Sequence, residues 1–219
     1  MKPEAREPEK ESVLVCFALE EECAPFRKML FGKEWVSILV TGIGQRNAET
    51  ALRQFLTEKS PGSVMTCGFA GGLDPNLKKG EVVFFTEDAS LRKRLIAARV
   101  RSAKIVCARR IAVRAVEKKE LRASTGGDVV EMESEMIQSI CREHGIPCAT
   151  LRAISDTASE DLPLDFNELS KADMNMDYVK LGWAIAKAPW KIVALIKLQR
   201  RCQHAAKNLA EVLAKIIFR

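Results

Sequence analysis

The sequence predicts an α/β fold: one domain built as a three-layer sandwich, with a central, twisted, largely parallel mixed sheet between two layers of helices. Two observations lead to this prediction. Short apolar runs rich in Val and Ile alternate with helical patterns, an order that produces a largely parallel sheet covered on both faces. The chain of 219 residues, 47% of them hydrophobic and 29% charged, is long enough to bury one substantial core.

The first half of the chain is predicted to alternate strand, helix, strand, helix and strand. The strands are short apolar runs, and the helices carry apolar residues at helical spacing. In order, they are a strand at Val13–Leu19, a helix at Glu21–Leu30, a strand at Trp35–Val40, a helix at Asn47–Leu56 and a strand at Ser63–Cys67. Gly68, Gly71 and Gly72 are expected to break the last of these strands.

The second half continues with further strands and one amphipathic helix. In order, they are strands at Glu81–Phe85, Lys104–Ala108 and Asp128–Met132, a helix at Ser134–His144 that Gly145 closes, and a last strand at Cys148–Ile154. The domain is predicted to span residues 13–219. A polar, disordered lead is expected at 1–12, and residues 178–219 are expected to form a basic amphipathic helical tail.

Composition excludes several classes of protein. No run of eighteen apolar residues is present, so no transmembrane helix is expected, and the charged amino terminus lacks the apolar stretch of a signal peptide. The expected compartment is therefore the cytoplasm. The net charge of +6 comes without basic residues interleaved with aromatics, so no nucleic-acid partner is predicted.

Cofactors and metals are not expected either. The seven cysteines contain no CxxC pair, and the only two histidines, His144 and His204, lie in unrelated contexts. This argues against a zinc site, disulfides and a Ser–His–Asp triad. Gly42-Ile43-Gly44 resembles a dinucleotide turn, but Asn47 stands where the third glycine would be, so NAD is excluded.

Polar and glycine residues cluster just past the ends of the predicted strands. Ligands of such sheets bind beyond the carboxyl ends of the strands, so these residues are the candidates for a site. Each also has an ordinary structural role, such as a helix start, a tight turn, a β-bulge or an N-cap, but the coincidence of all of them favours a site. They are Glu20–Glu22, Gly42–Gly44, Gly68–Gly72, Glu131–Glu133 and Ser155–Asp156.

These stretches resemble the purine nucleosidase and nucleoside phosphorylase family, in particular its methylthioadenosine/S-adenosylhomocysteine nucleosidase type. The resemblance covers most of residues 13–166 and implies a nucleoside phosphorylase-like fold. The matching motifs, in family order, are FALEEE (17–22), VTGIGQRNAETAL (40–52), CGFAGGLDPNLKKGEVV (67–83), VVEMES (129–134) and PCATLRAISDTAS (147–159).

The resemblance implies a role for each motif. Glu133 would hold the ribose 2′- and 3′-hydroxyls, with Met132 packed against the sugar. Asp156, which Ser155 could orient, would protonate or hydrogen-bond the purine N7. Glu22 would position the attacking water. The loop of Phe69, Ala70 and Gly71 would border the nucleophile and the ribose.

The chemistry of N-glycosidic cleavage calls for these residue types. The reaction generates an oxocarbenium-like sugar, which carboxylates stabilise, and a leaving base that must be protonated. We therefore expect release of adenine from a nucleoside by hydrolysis. A phosphorylase remains open, with Arg46 and Gly44 as candidate phosphate ligands, and so does a non-catalytic nucleoside-binding protein.

The tail and the short, basic segment between Glu81 and Lys104 bear on the substrate. The stretch APWKIVALIKL (188–198) is similar to the hopanoid-associated phosphorylase branch, for which adenosylhopane is the proposed substrate. The short segment indicates an open site that would suit a bulky 5′ substituent. Apolar residues and lysines of the tail favour either packing on the sheet or a peripheral contact with anionic membrane. A homodimer or higher homo-oligomer is also expected from the resemblance.

Overall fold

A computed structural model of the protein describes residues 12–169 and 178–218, so the predicted lead at 1–12 lies almost wholly outside the described residues. The first five elements follow one another in the predicted order of strand, helix, strand, helix and strand, whereas the second half also contains helices that were not predicted. The strands are β1 (Val13–Phe17), β2 (Val36–Val40), β3 (Ser63–Gly72), β4 (Val82–Thr86), β5 (Arg101–Ser102), β6 (Ile105–Cys107), β7 (Val129–Glu131) and β8 (Cys148–Asp156). The helices are α1 (Glu20–Arg27), α2 (Gln45–Glu58), α3 (Ala89–Ala97), α4 (Ala115–Thr125), α5 (Ser134–Glu143), α6 (Tyr178–Lys187) and α7 (Ile192–Ile217).

The strands form one mixed sheet in the order β2-β1-β3-β8-β4-β5, with β7 pairing with β3 and β6 pairing with β7. Helices cover both faces. Phe26 of α1 and Leu209 of α7 belong to one core cluster, whereas Leu52 of α2 and Ile140 of α5 belong to another. The three-layer sandwich with a largely parallel mixed sheet is confirmed.

β3 is longer than predicted, because it runs from Ser63 through the glycines to Gly72 instead of breaking at Gly68. β1 ends opposite Cys67, whereas β8 stays paired with β3 as far as Gly71. On the edge that β1 leaves free, β7 pairs with Gly71 and Gly72. The bulge considered for the glycine-rich run exists as a register shift between Ala70 and Gly71.

β7 runs antiparallel to β3. Its Val130 lies opposite Gly71, so the chain that leaves β7 turns back towards the middle of β3. The long β3 therefore brings Glu131–Glu133 level with residues that follow β1.

The tail consists of α6, a 3₁₀ turn at Pro189–Lys191 and α7, so Pro189 lies between two helices. The carboxyl-terminal part of α7 is buried, and Leu209 and Leu213 are fully covered by the core. The amino-terminal part is exposed along Val193 and Ile196. Among the described residues, no helix combines the length and the apolar character needed to span a bilayer.

Candidate active site

Glu22 lies beside β3, just beyond the point at which β1 ends. It lies in the first turn of α1, and its Oε2 accepts hydrogen bonds from the backbone N–H groups of Ala18 and Leu19, both at 3.0 Å. Its Oε1 accepts from the backbone N–H of Phe69 at 2.8 Å. Burial raises the pKa of Glu22, and the backbone donors with the Arg152 guanidinium offset only part of that effect. The side chain is thus a rigidly held carboxyl group at the middle of β3.

Gly68 makes this arrangement sterically feasible. A Cβ atom added at this position would lie 2.7 Å from Oε1 of Glu22, far inside van der Waals contact. The absence of a side chain at Gly68 therefore allows the Glu22 carboxylate to approach the strand closely.

Glu131 and Arg152 form a buried ion pair under the site, with 2.5 Å between Nη2 and Oε2. Glu131 also accepts hydrogen bonds from the hydroxyl of Ser134 at 2.7 Å and from the backbone N–H groups of Glu133 and Ser134. Burial alone would raise the pKa of Glu131, but Arg152 and these donors hold it below its ordinary value. Glu131 is therefore an ionised anchor that fixes the turn between β7 and α5.

Glu133 has the opposite electrostatic character. Its Oε1 accepts one hydrogen bond, at 2.8 Å, from the backbone N–H of Gly44. Burial, and next the negative charge of Glu131, raise its pKa to about 7, although Arg152 opposes the shift. A carboxyl group of this kind gains from any ligand that donates hydrogen bonds to its ionised form. Met132, the residue before it, is also buried.

Asp156 ends β8 and lies opposite Gly71 of β3. Its Oδ1 accepts a hydrogen bond of 2.5 Å from the Ser155 hydroxyl, so Ser155 orients the carboxyl group as predicted. Its Oδ2 contacts Nζ of Lys118, a fully buried lysine on α4. Asp156 itself is 5% exposed.

The structure brings together most of the predicted site residues around the carboxyl-terminal half of β3. Phe69 bonds to Glu22, and Ala70 accepts a hydrogen bond of 3.3 Å from Ser155 through its carbonyl oxygen. Gly71 lies between Val130 of β7 and Asp156 of β8. Since Phe69 and Gly71 are two residues apart, about 6.6 Å of strand separates the anchoring point of Glu22 from the position of Asp156.

The two candidate phosphate ligands are placed differently. Arg46 is exposed in the first turn of α2, and the backbone N–H of Gly44 already donates to Glu133. No group of three or more His, Cys, Asp or Glu side chains in residues 12–169 and 178–218 is placed to hold a metal ion.

A cavity of 220 Å³ adjoins Asp156 on the side of the tail. It is walled by the segment after β8, including Glu160 and Leu162, and by Ala194, Leu198 and Arg201 of α7. A larger cavity of 280 Å³ lies near Cys148, at the other end of β8, and contains none of the predicted site residues. The smaller cavity is therefore the candidate binding cavity, because it lies beside the Asp156 carboxyl group.

Lys118 and Arg152 are charged residues of the site that the sequence analysis did not identify. Arg152 carried a signal, because a charged residue inside the apolar run of β8 predicts a buried ion pair. Lys118 carried none. It lies in a charged helix next to the exposed Lys119. Only the contacts of Lys118 with Asp156 and with the segment that follows β8 distinguish the two.

Comparison with known proteins identifies the family of the chain and its relatives. The sequence profile of the phosphorylase superfamily matches residues 16–89 and 84–217. A 5′-methylthioadenosine/S-adenosylhomocysteine nucleosidase from Shewanella pealeana is 27% identical over 176 residues, covering 64% of this chain and 75% of the relative. A nucleosidase of the same name from Glaesserella parasuis is 27% identical over 167 residues, covering 61% and 73%.

Solved structures show the same fold. The 5′-methylthioadenosine/S-adenosylhomocysteine nucleosidase from Neisseria meningitidis, in complex with methylthio-immucillin-A, is 23% identical and gives a TM-score of 0.71 over 94% of this chain and 98% of its own. Futalosine hydrolase of Helicobacter pylori is 16% identical and gives a TM-score of 0.70 over 95% and 98%. The arrangement of strands and helices is thus shared along nearly the whole chain.

Proposed function

The chain belongs to the phosphorylase superfamily, and we propose that it hydrolyses the N-glycosidic bond of an adenine nucleoside with a 5′ substituent, releasing adenine. The observation that carries this proposal is that three buried carboxyl groups, those of Glu22, Glu133 and Asp156, lie around the carboxyl-terminal half of β3. The names of the relatives support it, since they are nucleosidases of 5′-methylthioadenosine and S-adenosylhomocysteine.

Glu133 binds the sugar in this proposal. A vicinal diol donates two hydrogen bonds, and an ionised carboxylate accepts both. Because the pKa of Glu133 is raised to about 7 in the empty site, the diol stabilises the ionised form and the side chain loses its proton on binding. Met132 packs against the ribose, and the negative charge of Glu133 stabilises the oxocarbenium-like sugar as the bond breaks.

Glu22 holds and activates the attacking water. Three backbone N–H groups fix the orientation of its carboxyl group, so little reorganisation is needed when the water attacks. Its raised pKa brings it nearer to neutrality, where a general base works best.

Asp156 faces the purine. Protonation at N7 turns the leaving base from an anion into a neutral molecule, and general acid catalysis of this kind accelerates reactions by roughly 10²–10⁴-fold. The cavity beside Asp156 receives the base, with Leu162 and Leu198 as apolar wall residues.

Water is preferred over phosphate as the nucleophile because of the charges at the site. A phosphate ion beside Glu22 and Glu133 would meet two buried carboxyl groups, and the Arg152 guanidinium is fully buried and paired with Glu131. The Gly44 N–H is engaged by Glu133, and Arg46 faces solvent. Phosphorolysis remains the alternative that the assay must separate.

The assay incubates the purified protein with adenosine, 5′-methylthioadenosine and S-adenosylhomocysteine, each with and without phosphate. We expect free adenine and a reducing sugar in both conditions. Formation of ribose 1-phosphate derivatives only when phosphate is present would establish the phosphorylase. Failure to cleave any of the three, together with nucleoside binding by calorimetry, would support a non-catalytic binding protein.

The tail bears on the identity of the 5′ substituent. Trp183, Trp190, Val193 and Ile196 are between 44% and 73% exposed, and lysines 187, 191 and 197 accompany them. An exposed apolar surface with interfacial tryptophans and lysines is typical of helices that rest on anionic lipid. Leu198 of the same helix lines the cavity at Asp156, so such a contact would bring the cavity close to the bilayer. A lipid-linked adenine nucleoside such as adenosylhopane is the substrate that this arrangement favours.

Co-sedimentation with vesicles tests the lipid contact. We expect binding to anionic vesicles at low salt, weaker binding as salt rises, and a marked loss when Trp190 and Lys191 are both replaced by Ser. Lys93→Ser on α3 is the matched control, because it removes one exposed charge away from the tail. If the protein ignores anionic vesicles and light scattering shows a dimer or larger assembly, contact with a second copy is the better account of this surface.

A further inference from the structure

Lys118 is a buried lysine whose entire hydrogen-bonding capacity is used at the site. Its side chain is fully covered, which is rare for lysine unless the ammonium group is paired. Nζ contacts Oδ2 of Asp156 and donates to the carbonyl oxygens of Thr157 at 3.0 Å and Glu160 at 2.8 Å. An ammonium group has three N–H donors, so each of them has a partner.

Asp156 is correspondingly occupied at both oxygens, by Ser155 at Oδ1 and by Lys118 at Oδ2. A carboxyl group that accepts hydrogen bonds at both oxygens, one of them from an ammonium ion, is stabilised as the carboxylate. A carboxylate has no proton to give. The general acid of the proposed reaction therefore needs a source for the proton that reaches the purine.

We propose that Lys118 is this source: it supplies, through Asp156, the proton that neutralises the departing adenine. The proposal rests on the proposed function and adds a residue to its site. In the first step an N–H bond of Lys118 breaks and an O–H bond forms on Asp156. That proton then moves to N7 while the electrons of the C1′–N9 bond pass into the purine ring.

The protons balance over the whole reaction. Adenine leaves with the proton from Lys118, the attacking water gives its proton to Glu22, and the water oxygen forms the new bond to C1′. Lys118 remains as a neutral amine and Asp156 as a carboxylate. When adenine leaves the cavity beside Asp156, solvent reprotonates the pair, and Glu22 releases its proton. Lys118 does not touch the base, so it acts as a positioning and proton-supplying residue for Asp156.

The pair also accounts for proton supply at neutral pH. An ammonium–carboxylate pair holds one transferable proton and has no net charge. A lone aspartic acid with an ordinary pKa loses its proton well below pH 7.

Other charged groups around the pair are engaged elsewhere or act weakly. The Glu160 carboxylate is held by Lys79 at 2.5 Å and Arg201 at 3.2 Å. On α4, Glu117 accepts hydrogen bonds from the backbone N–H groups of Val113 and Arg114. The remaining groups that face the pair or its cavity are Asp161, Lys197, Glu22 and Cys202. The pKa of Cys202 is raised to about 11, by burial first and then by the negative charges of Asp156 and Glu22.

Two variants distinguish two roles of Lys118: supplying a proton to Asp156, and anchoring the loop after β8 through the carbonyl oxygens of Thr157 and Glu160. Lys118→Met keeps the bulk of the side chain but removes all donors. Lys118→Gln keeps N–H donors for the loop carbonyls but has no proton to transfer. Lys119→Met, at the exposed neighbouring position on the same helix, is the matched control.

The readout compares two leaving groups over a range of pH. Adenine must be protonated to leave well, but 4-nitrophenolate from 4-nitrophenyl β-ribofuranoside needs no proton. For both Lys118 variants we expect kcat for the adenine nucleoside to fall by about 10²–10⁴-fold at pH 7.5. Hydrolysis of the nitrophenyl riboside should stay within a few-fold of that of the wild-type protein.

Each possible result supports or contradicts the role of Lys118 as the proton source. Equal losses for both leaving groups, or recovery of adenine release in Lys118→Gln, would show that Lys118 only anchors the loop. If the wild-type protein and both variants cleave adenine nucleosides equally well, Lys118 is not the source of the proton, although the proposed function stands. A wild-type protein that cleaves none would overturn the proposed function as well. If neither variant folds, the wild-type profile decides: kcat that drops tenfold per pH unit above pH 5 contradicts the proton supply, and a plateau through pH 7.5 supports it.

Discussion

Replacing Glu133 with Gln tests how the site treats a buried carboxyl group. Gln has nearly the same shape, and its carbonyl oxygen can still accept the hydrogen bond that the Gly44 N–H donates at 2.8 Å. The change removes the ionisation of residue 133 and preserves its packing. Any difference in pH dependence between the two proteins therefore reports on that single group.

The magnitude follows from the pKa of Glu133, which burial and Glu131 raise from 4.5 to about 7. The folded protein holds a proton that the unfolded chain releases between these values. The stability that this group contributes is therefore fully present below pH 4.5 and is lost as pH rises through 7. Since one pKa unit corresponds to about 1.4 kcal/mol, the free energy of unfolding should lose about 2.5 kcal/mol between pH 5 and pH 8 because of this group.

Urea unfolding of both proteins at pH 5 and pH 8 measures the effect. Other carboxyl groups titrate in both proteins, so the quantity of interest is the change with pH in the difference between them. We expect the wild-type protein to lose about 2.5 kcal/mol relative to Glu133→Gln over this range. A difference that stays constant within about 0.5 kcal/mol would show that Glu133 is not a strained, largely protonated group, and the account of ribose binding would fail with it.

Three further changes test other parts of the site. Asp156→Asn should fold normally and lose at least about 10²-fold in kcat for adenine release, because the amide cannot pass on a proton; retention of a tenth of the wild-type rate would contradict its role. Gly68→Ala should displace Glu22 and destabilise the protein by about 1–3 kcal/mol with loss of hydrolysis, whereas Gly182→Ala, which meets open space, should leave hydrolysis unchanged in the same assay. Arg152→Met should lower the free energy of unfolding by about 3–5 kcal/mol, measured in urea at pH 7, because Glu131 is left buried without its partner; a loss below 1 kcal/mol would show that the pair is not an anchor.

The sequence was informative wherever apolar patterning and local chemistry agree. β1, β2, β8 and the helix after β7 were predicted to within a few residues, because each is an apolar run with clear punctuation at its ends. Gly145 ends α5 with a positive φ of 64°, as its position predicted. The same clarity holds for Ser155, which orients Asp156 because the two are adjacent in the chain.

Elements that depend on distant partners escaped sequence reasoning. β3 continues to Gly72 because Glu22 bonds to Phe69 and β7 pairs with the free edge beyond β1, and neither partner is near in sequence. No orientation was predicted for β7, because alternation of strands and helices says nothing about an inserted antiparallel strand. Helix α4 was not predicted because its outward face is charged, and its one buried lysine looks like the others in the sequence.

Glu131 and Glu133, the two carboxyl groups at the end of β7, differ in their pKa values because Arg152 stabilises the charge of one more than that of the other. Arg152 lies against Glu131, and with the backbone donors of the following turn it holds the pKa of that carboxyl group below its ordinary value despite burial. Glu133 receives less of this stabilisation and experiences the negative charge of Glu131, so its pKa is raised to about 7. Groups whose environments shift their pKa values in opposite directions mark a division of chemical roles. Glu131 is the fixed anchor, and Glu133 is the group whose ionised form a ligand with hydrogen-bond donors would stabilise. The proposed binding of a sugar diol requires this property.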